Sequence, residues 1–427
     1  MALSPRASGK GSTCRHMLTN LTPPSLFTRT LTGLLALALS FAAGVHADTN
    51  GARGIVTSAS AGELGAEHLA ELEFPWGMAL LPDGRLLVTE KPGRLRIFND
   101  GELSDPIRGV PEVHYRGPGD QGGLLDVALH PEFEKNRLVY LSFSQAAEEQ
   151  PSDILDTGDV RFGGHLDKSA ATVRGGAVAR GRLDGDRLRD VEVIWRQYPK
   201  TIGRGHFGHR LMFGPDGRLF ITSGDRMRFE PARDLATNLG KVIRINADGS
   251  IPDDNPFVGE DGSRGDIWSY GHRNILAALV RPESGQVMAF EMGPLGGDEV
   301  NLVKPGRDYG WPAVSNGSQY NRDTIPPHAG TDEYQQPIRT WTPVISPSGA
   351  MLYDAGLIPE WQGSILVGGL SSKAIVRLEM DGDRIAVEER IDMGRRIRDL
   401  QQAPDGSLYV LVDARAGSLI RLRPADP

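Results

Sequence analysis

The chain reads as an all-β protein: a six-bladed β-propeller of four-stranded antiparallel blades with long inserted loops. Three observations predict this. A unit of turn plus apolar strand recurs six times, glycine and proline (53 and 29 of 427 residues) are spread evenly rather than gathered into linkers, and no amphipathic helix of ordinary length interrupts the pattern. Radial repetition of four-stranded sheets covers both faces of every sheet and protects the edges, which six similar short units need.

The clearest units are Pro82-Asp83-Gly84 before Arg85-Leu86-Leu87-Val88-Thr89, Pro215-Asp216-Gly217 before Arg218-Leu219-Phe220-Ile221-Thr222, and Pro404-Asp405-Gly406 before Ser407-Leu408-Tyr409-Val410-Leu411. In such a turn proline presets φ, aspartate bonds the local backbone and glycine takes positive φ; the strand that follows reads as alternating. Looser copies start at Pro131, Pro282 and Pro359, and partner strands follow at Arg94–Phe98, Val242–Asn246, Ile375–Glu379 and Leu419–Arg423. Intervals between copies run from 45 to 84 residues. Minimal propeller repeats take roughly 40–50, so loops are inserted at Gln145 to Arg174 and on either side of the stretch from Asp298 to Gly317.

The N-terminus reads differently. Residues 1–47 hold four Lys or Arg and no acid, and the apolar run Thr32 to Val45 ends in Val45-His46-Ala47. A spanning helix needs about 20 apolar residues, so this is a cleavable signal peptide over 1–47, with Met17 an alternative start and Cys14 lost on cleavage. Residues 48–427 are then a single propeller catalytic domain, exported and without a membrane span. It carries 43 basic and 55 acidic residues, a net of −12, which argues against nucleic acid or an anionic membrane as partner. An exported chain without a disulfide suits a bacterial periplasm and must rely on a large core or a metal.

Four glycine-rich loops, each from a different repeat, carry the candidate chemistry. They are Gly119-Asp120-Gln121-Gly122-Gly123, Arg204-Gly205-His206-Phe207-Gly208-His209-Arg210, the segment from Tyr270 to Pro312, and Arg395-Arg396-Ile397-Arg398-Asp399. Arg396 and Arg398 alternate about Ile397, so on a strand both face one side. With Arg273 they suit a ligand bearing several carboxylates, unless they merely pair with Asp399, Asp392 or other acids. His206, flanked by glycines, can reach a ligand and accept a proton near neutrality; His209 and His272 compete for that role. Gly293, Pro294, Glu299 and Tyr309 offer the mixed oxygens that calcium prefers, although Asp298-Glu299 alone reads equally as a solvated turn. No serine-hydrolase elbow, zinc-binding His-Glu-x-x-His or nicotinamide-binding glycine fingerprint occurs in a fitting context.

In this order and on six repeats, these loops resemble the soluble pyrroloquinoline quinone (PQQ) dependent glucose and aldose sugar dehydrogenases. The likeness runs from about Phe74 to Arg423. The aldose sugar dehydrogenase branch fits best, on Asp120-Gln121-Gly122-Gly123-Leu124-Leu125, His206-Phe207-Gly208, Ile267-Trp268-Ser269-Tyr270-Gly271 and Arg396-Ile397-Arg398-Asp399. The resemblance implies PQQ lying over the channel and oxidation of an aldose at C1 to the lactone. It places His206 at the catalytic base, Gln121, Arg273, Asn274, Tyr320, Arg396 and Arg398 on the quinone, and Gly293, Pro294, Glu299 and Tyr309 on calcium. Electrons would pass to an external acceptor, a dye, quinone or small redox protein. Two departures stand out: Gly205 replaces the aspartate of the glucose enzymes, leaving His206 without an obvious orienting group, and Ser371 replaces an expected cofactor-binding lysine, with Lys373 two residues on as the candidate substitute. A calcium-dependent propeller hydrolase of lactonase type and a non-catalytic binding propeller stay open as alternatives.

Overall fold

The computed structural model describes residues 54–150 and 172–425. Six antiparallel sheets follow one another along the chain. Their innermost strands are Pro75–Leu80, Leu124–Leu129, Gly208–Phe213, Ile275–Val280, Pro347–Tyr353 and Ile397–Gln402, opening blades one to six. The six turns read from the sequence all fall in one place, between the first and second strand of a blade, and the named partner strands are the third. Helix among the described residues is confined to Phe133–Asn136 and two single 3-10 turns. None is long and apolar enough to cross a membrane.

Six hydrophobic clusters, one between each pair of neighbouring blades, close the ring. Leu87 and Val127 meet between blades one and two, for example, and Met78 and Leu411 between six and one. Packing on both faces explains why Leu86–Glu90, Leu219–Ser223, Lys241–Ile245, Val287–Glu291 and Ser364–Gly369 are buried at every position. The apolar alternation expected of these strands is therefore not an exposure pattern. Each side chain faces one neighbouring blade or the other.

Blade six departs from the four-stranded expectation. Gly62–Leu72 pairs with Gly417–Pro424, and Gly54–Ser58 adds a fifth strand outside it. The first and last described strands are thus hydrogen-bonded into one sheet, which fastens the ring without a covalent link. The segment expected to be a signal peptide, Cys14 and most of the long loop, with Asp153, Asp156, Asp159 and His165, lie outside the described residues.

Candidate functional site

Inner strands begin, and second strands end, at the same mouth of the central channel, where all six blades border a cavity of 190 Å³. Blade one gives Trp76 and Lys91; the loop entering blade two gives Gln121; Phe207 comes from blade three, Leu276 and Met292 from four, Ser346 and Leu370 from five, Arg396 and Arg398 from six. The channel beneath is plugged. Arg210 bridges Asp126 and Asp399 at 3.1 Å each, donates to the Arg398 and Leu276 carbonyls, and stacks 4.2 Å from the Trp76 ring.

His206 is 5% exposed and held from two sides. Its backbone N–H donates to Gln121 Oε1 at 2.8 Å, and its Nδ1 lies 2.7 Å from Asp225 Oδ1. Asp225 follows the second strand of the same blade and also accepts from Trp311 Nε1 and the Met227 amide, both at 2.8 Å. Burial alone would raise the Asp225 carboxyl, but His206, Arg273 and the Met227 amide outweigh it and hold the carboxyl below its usual range. An ionised carboxylate only accepts, so Nδ1 carries the proton and Nε2 keeps its lone pair. Asp225 therefore fills the orienting position that Gly205 leaves open. Gly224 allows the approach, since a Cβ there would collide with the His206 carbonyl.

The competing histidines are structural. His272 is fully buried between Glu291 and Ser269, at 3.0 and 2.9 Å, and stacks on Tyr309. His209 is buried against Trp195 and Phe207, and burial pushes its pKa down to about 3.

Arg273 donates to the Met292 and Gly293 carbonyls at 2.9 Å and to the Tyr320 hydroxyl at 2.8 Å, and its guanidinium lies 5.3 Å from the Trp311 ring. Asn274 accepts from Gly208 N through Oδ1 and turns its amide nitrogen to Met292 sulfur. Arg396 and Arg398, on one face as the spacing predicts, both pair with Asp413, at 2.8 and 2.9 Å. One carboxylate thus serves two guanidiniums. Nε of Arg273 and of Arg398 are buried without a hydrogen-bond partner, as are those of five other arginines among the described residues. Lys373 is exposed and does not border the cavity; Lys91, which the sequence reading missed, does.

Gly293, Glu299 and Tyr309 meet around a second, far smaller void together with Glu291 and His328; Pro294 does not reach it and packs near Gly317 instead. Burial, then Glu291, pushes the Glu299 carboxyl well above its usual range. His328 Nε2 donates to the Tyr309 carbonyl at 3.0 Å, so bare Nδ1, which has no hydrogen-bond partner, stands 3.5 Å from Glu299 Oε1. Tyr309 Oη is taken up, accepting from Lys304 N and donating to the Leu302 carbonyl. Two buried carboxylates and a bare imidazole nitrogen gather around this void, with Arg273 also on its wall, and oxygens of this kind fit a cation. Tyr309 would serve through its carbonyl rather than its ring. Among the described residues no three His, Cys, Asp or Glu side chains group into a shell of their own, so backbone oxygens would have to supply most ligands.

The family model described as "Glucose / Sorbosone dehydrogenase" matches residues 72–421. The chain is 37% identical over 364 residues to aldose sugar dehydrogenase YliI of Escherichia coli K12, covering 83% of this chain and 91% of that one. It is 26% identical over 424 residues to quinoprotein glucose dehydrogenase B of Acinetobacter calcoaceticus, covering 81% and 84%. The apo-form crystal structure of the soluble aldose sugar dehydrogenase from Escherichia coli superposes with a TM-score of 0.76 at 36% identity, covering 85% of this chain and all of that one.

Proposed function

The chain belongs to the glucose/sorbosone dehydrogenase family of oxidoreductases, and on that premise we propose that it oxidises aldose sugars at C1 to the lactone with PQQ as hydride acceptor and calcium as a bound cation. The observation that carries this is the His206–Asp225 pair, bonded through the His206 amide to Gln121, which lines the same cavity as Lys91, Arg396 and Arg398. When bound, PQQ would supply an electrophilic quinone carbon that takes up the hydride, and with it both electrons of the oxidation. His206 Nε2 receives the proton of the anomeric hydroxyl as the C1–H bond breaks and the C1–O bond becomes a carbonyl. Asp225 holds the ring by Nδ1 and offsets the imidazolium charge that forms. Gln121, Arg273, Asn274, Tyr320, Arg396 and Arg398 hold the cofactor. Calcium would lie against Gly293, Glu299 and Tyr309, with Pro294 in the adjoining turn, and would add fixed positive charge beside the site.

The named relatives, an aldose sugar dehydrogenase and a quinoprotein glucose dehydrogenase, support the substrate class and the quinone. The arrangement gives the lactonase reading no support, because hydrolysis needs neither Arg273 nor the Arg396 and Arg398 pair. The signal-like N-terminus supports a periplasmic reaction, with electrons leaving to an external dye, quinone or small redox protein. The test is reconstitution: apo-protein with PQQ and calcium should reduce a dye only when an aldose is present, and calcium alone should not hydrolyse lactones. Failure of PQQ binding and dye reduction together would end the proposal.

A second expected outcome concerns the cation. Ligands that bind only the folded state stabilise by about 2.7 kcal/mol at a hundredfold excess over Kd. Calcium added to chelator-treated protein should therefore raise the unfolding midpoint by several degrees. Glu299→Gln, which removes the buried charge and keeps the shape, should abolish that rise; an equal rise in the variant would remove Glu299 from the ligand set.

A further inference from the structure

We propose that Lys91 supplies the ligand-binding ammonium group that this chain lacks at Ser371, from blade one instead of blade five. The inference rests on the PQQ reading above and assigns a residue to the same cavity.

Lys91 directly follows the second strand of blade one, is 7% exposed, and lines the cavity with Gln121, Arg396 and Arg398. A buried lysine needs partners, and Lys91 has only part of a set. One N–H donates to the Asp120 carbonyl, and the ammonium sits 5.6 and 5.2 Å from the Phe74 and Tyr115 ring centres. A carbonyl and two ring faces hold the group in place and leave donors for a ligand.

Charge balance points the same way. Lys91, Arg396 and Arg398 face one cavity, and the carboxylate bonded among them is Asp413, which pairs with both arginines. The buried Asp120 carboxylate is taken by Arg174 in a two-pronged pair at 2.7 and 2.8 Å, and only its backbone carbonyl turns to Lys91. An excess of two positive charges is left for an anionic ligand. Burial, with Arg398 adding, pushes Lys91 down to about 8, the direction expected of an ammonium short of a counterion.

The position from which the family resemblance expects a lysine supplies no charge in this chain. Ser371 is exposed and its hydroxyl bonds that of Ser346, a cavity residue, so the place is closed by a short neutral pair. Lys373 has φ +54 and is exposed.

The experiment is titration of the calcium-loaded full chain with PQQ, followed by quenching of tryptophan fluorescence, in wild type, Lys91→Gln, Lys91→Met and Lys373→Met, with melting curves for each. A charge-assisted bond lost from a buried site weakens binding about ten- to hundredfold. Both Lys91 variants should show that loss and Lys373→Met should not. Ser371→Lys placed on Lys91→Met should recover part of it, which a merely structural role would not allow. Lys91→Gln keeps a donor for Asp120, so it reports even where the methionine variant fails to fold. Wild-type affinity in a folded Lys91→Gln variant, or a loss confined to Lys373→Met, overturns the inference while leaving the PQQ reading standing. No binding by wild type overturns both.

Discussion

His206→Asn should lower kcat of the reconstituted protein by about 10²–10⁴-fold, the range that a positioned general base contributes. Asparagine is the informative replacement because His206 sits at φ +51, a region that asparagine tolerates better than alanine, and because an amide cannot take a proton. Its pH profile follows from the surroundings. Burial, then the Arg273 charge, lowers the His206 pKa below 6.5 against the opposing pull of Asp225. The base works when neutral, so activity is present above that lowered pKa and lost as pH falls through it. The acid limb of wild-type kcat/KM should therefore lie below pH 6.5. Asp225→Asn should reduce the rate because an amide no longer fixes the Nδ1–H tautomer. It should also move the acid limb lower, since the group that raises the pKa is gone. Activity of His206→Asn within a few-fold of wild type, or an acid limb above pH 7, would remove His206 as the base.

The sequence made the propeller legible because its signal is local: each Pro-Asp-Gly turn fixes where a first strand ends and a second begins. The candidate site residues Gln121, His206, Arg273, Asn274, Arg396 and Arg398 stand out for a related reason, as polar groups among glycines or on one strand face just before or at the start of an inner strand. Asp225, Lys91 and Asp413 were not, although one rule places all three. They lie eight, seven and seven residues beyond Gly217, Gly84 and Gly406, just past a second strand that returns to the cavity mouth. Each reads in isolation as an ordinary charged turn residue. Only superposing the repeats shows that second-strand exits and inner-strand entries share one end of the channel. The oxygens proposed for calcium are legible only in part, because a backbone carbonyl has no sequence signature: the Tyr309 hydroxyl is committed to Leu302 and Lys304, which leaves its carbonyl. The same blindness applies to charge pairing: Asp120 and Arg174 form a fully buried two-pronged pair that no local pattern connects.

Asp120→Asn should destabilise the protein by about 3–5 kcal/mol, because removing one partner leaves the other charge buried and uncompensated. Arg174 is 0% and Asp120 1% exposed. Arg174 also donates to the His114 and Gly203 carbonyls and lies 5.3 Å from the Phe207 ring, while Asp120 accepts from the Gly122 and Arg116 amides. The pair thus ties the loop bearing Gln121 to the loop bearing His206 and cannot turn to water when one member is lost. Replacing both by apolar residues of similar volume, Asp120→Leu with Arg174→Met, should cost much less than the two single changes added together. The pH dependence gives an independent check. Burial would raise the Asp120 carboxyl, but the bonds and charge of Arg174 and the two amides outweigh it and hold it below 3.8. A group with a depressed folded pKa contributes fully above its unfolded value and loses that contribution as pH falls through the folded one. Denaturant midpoints should therefore show the full deficit of Asp120→Asn at pH 7, narrowing only below about pH 4. A deficit under about 1 kcal/mol at pH 7 would mean that water reaches Arg174 and that the two loops are held by their backbones alone.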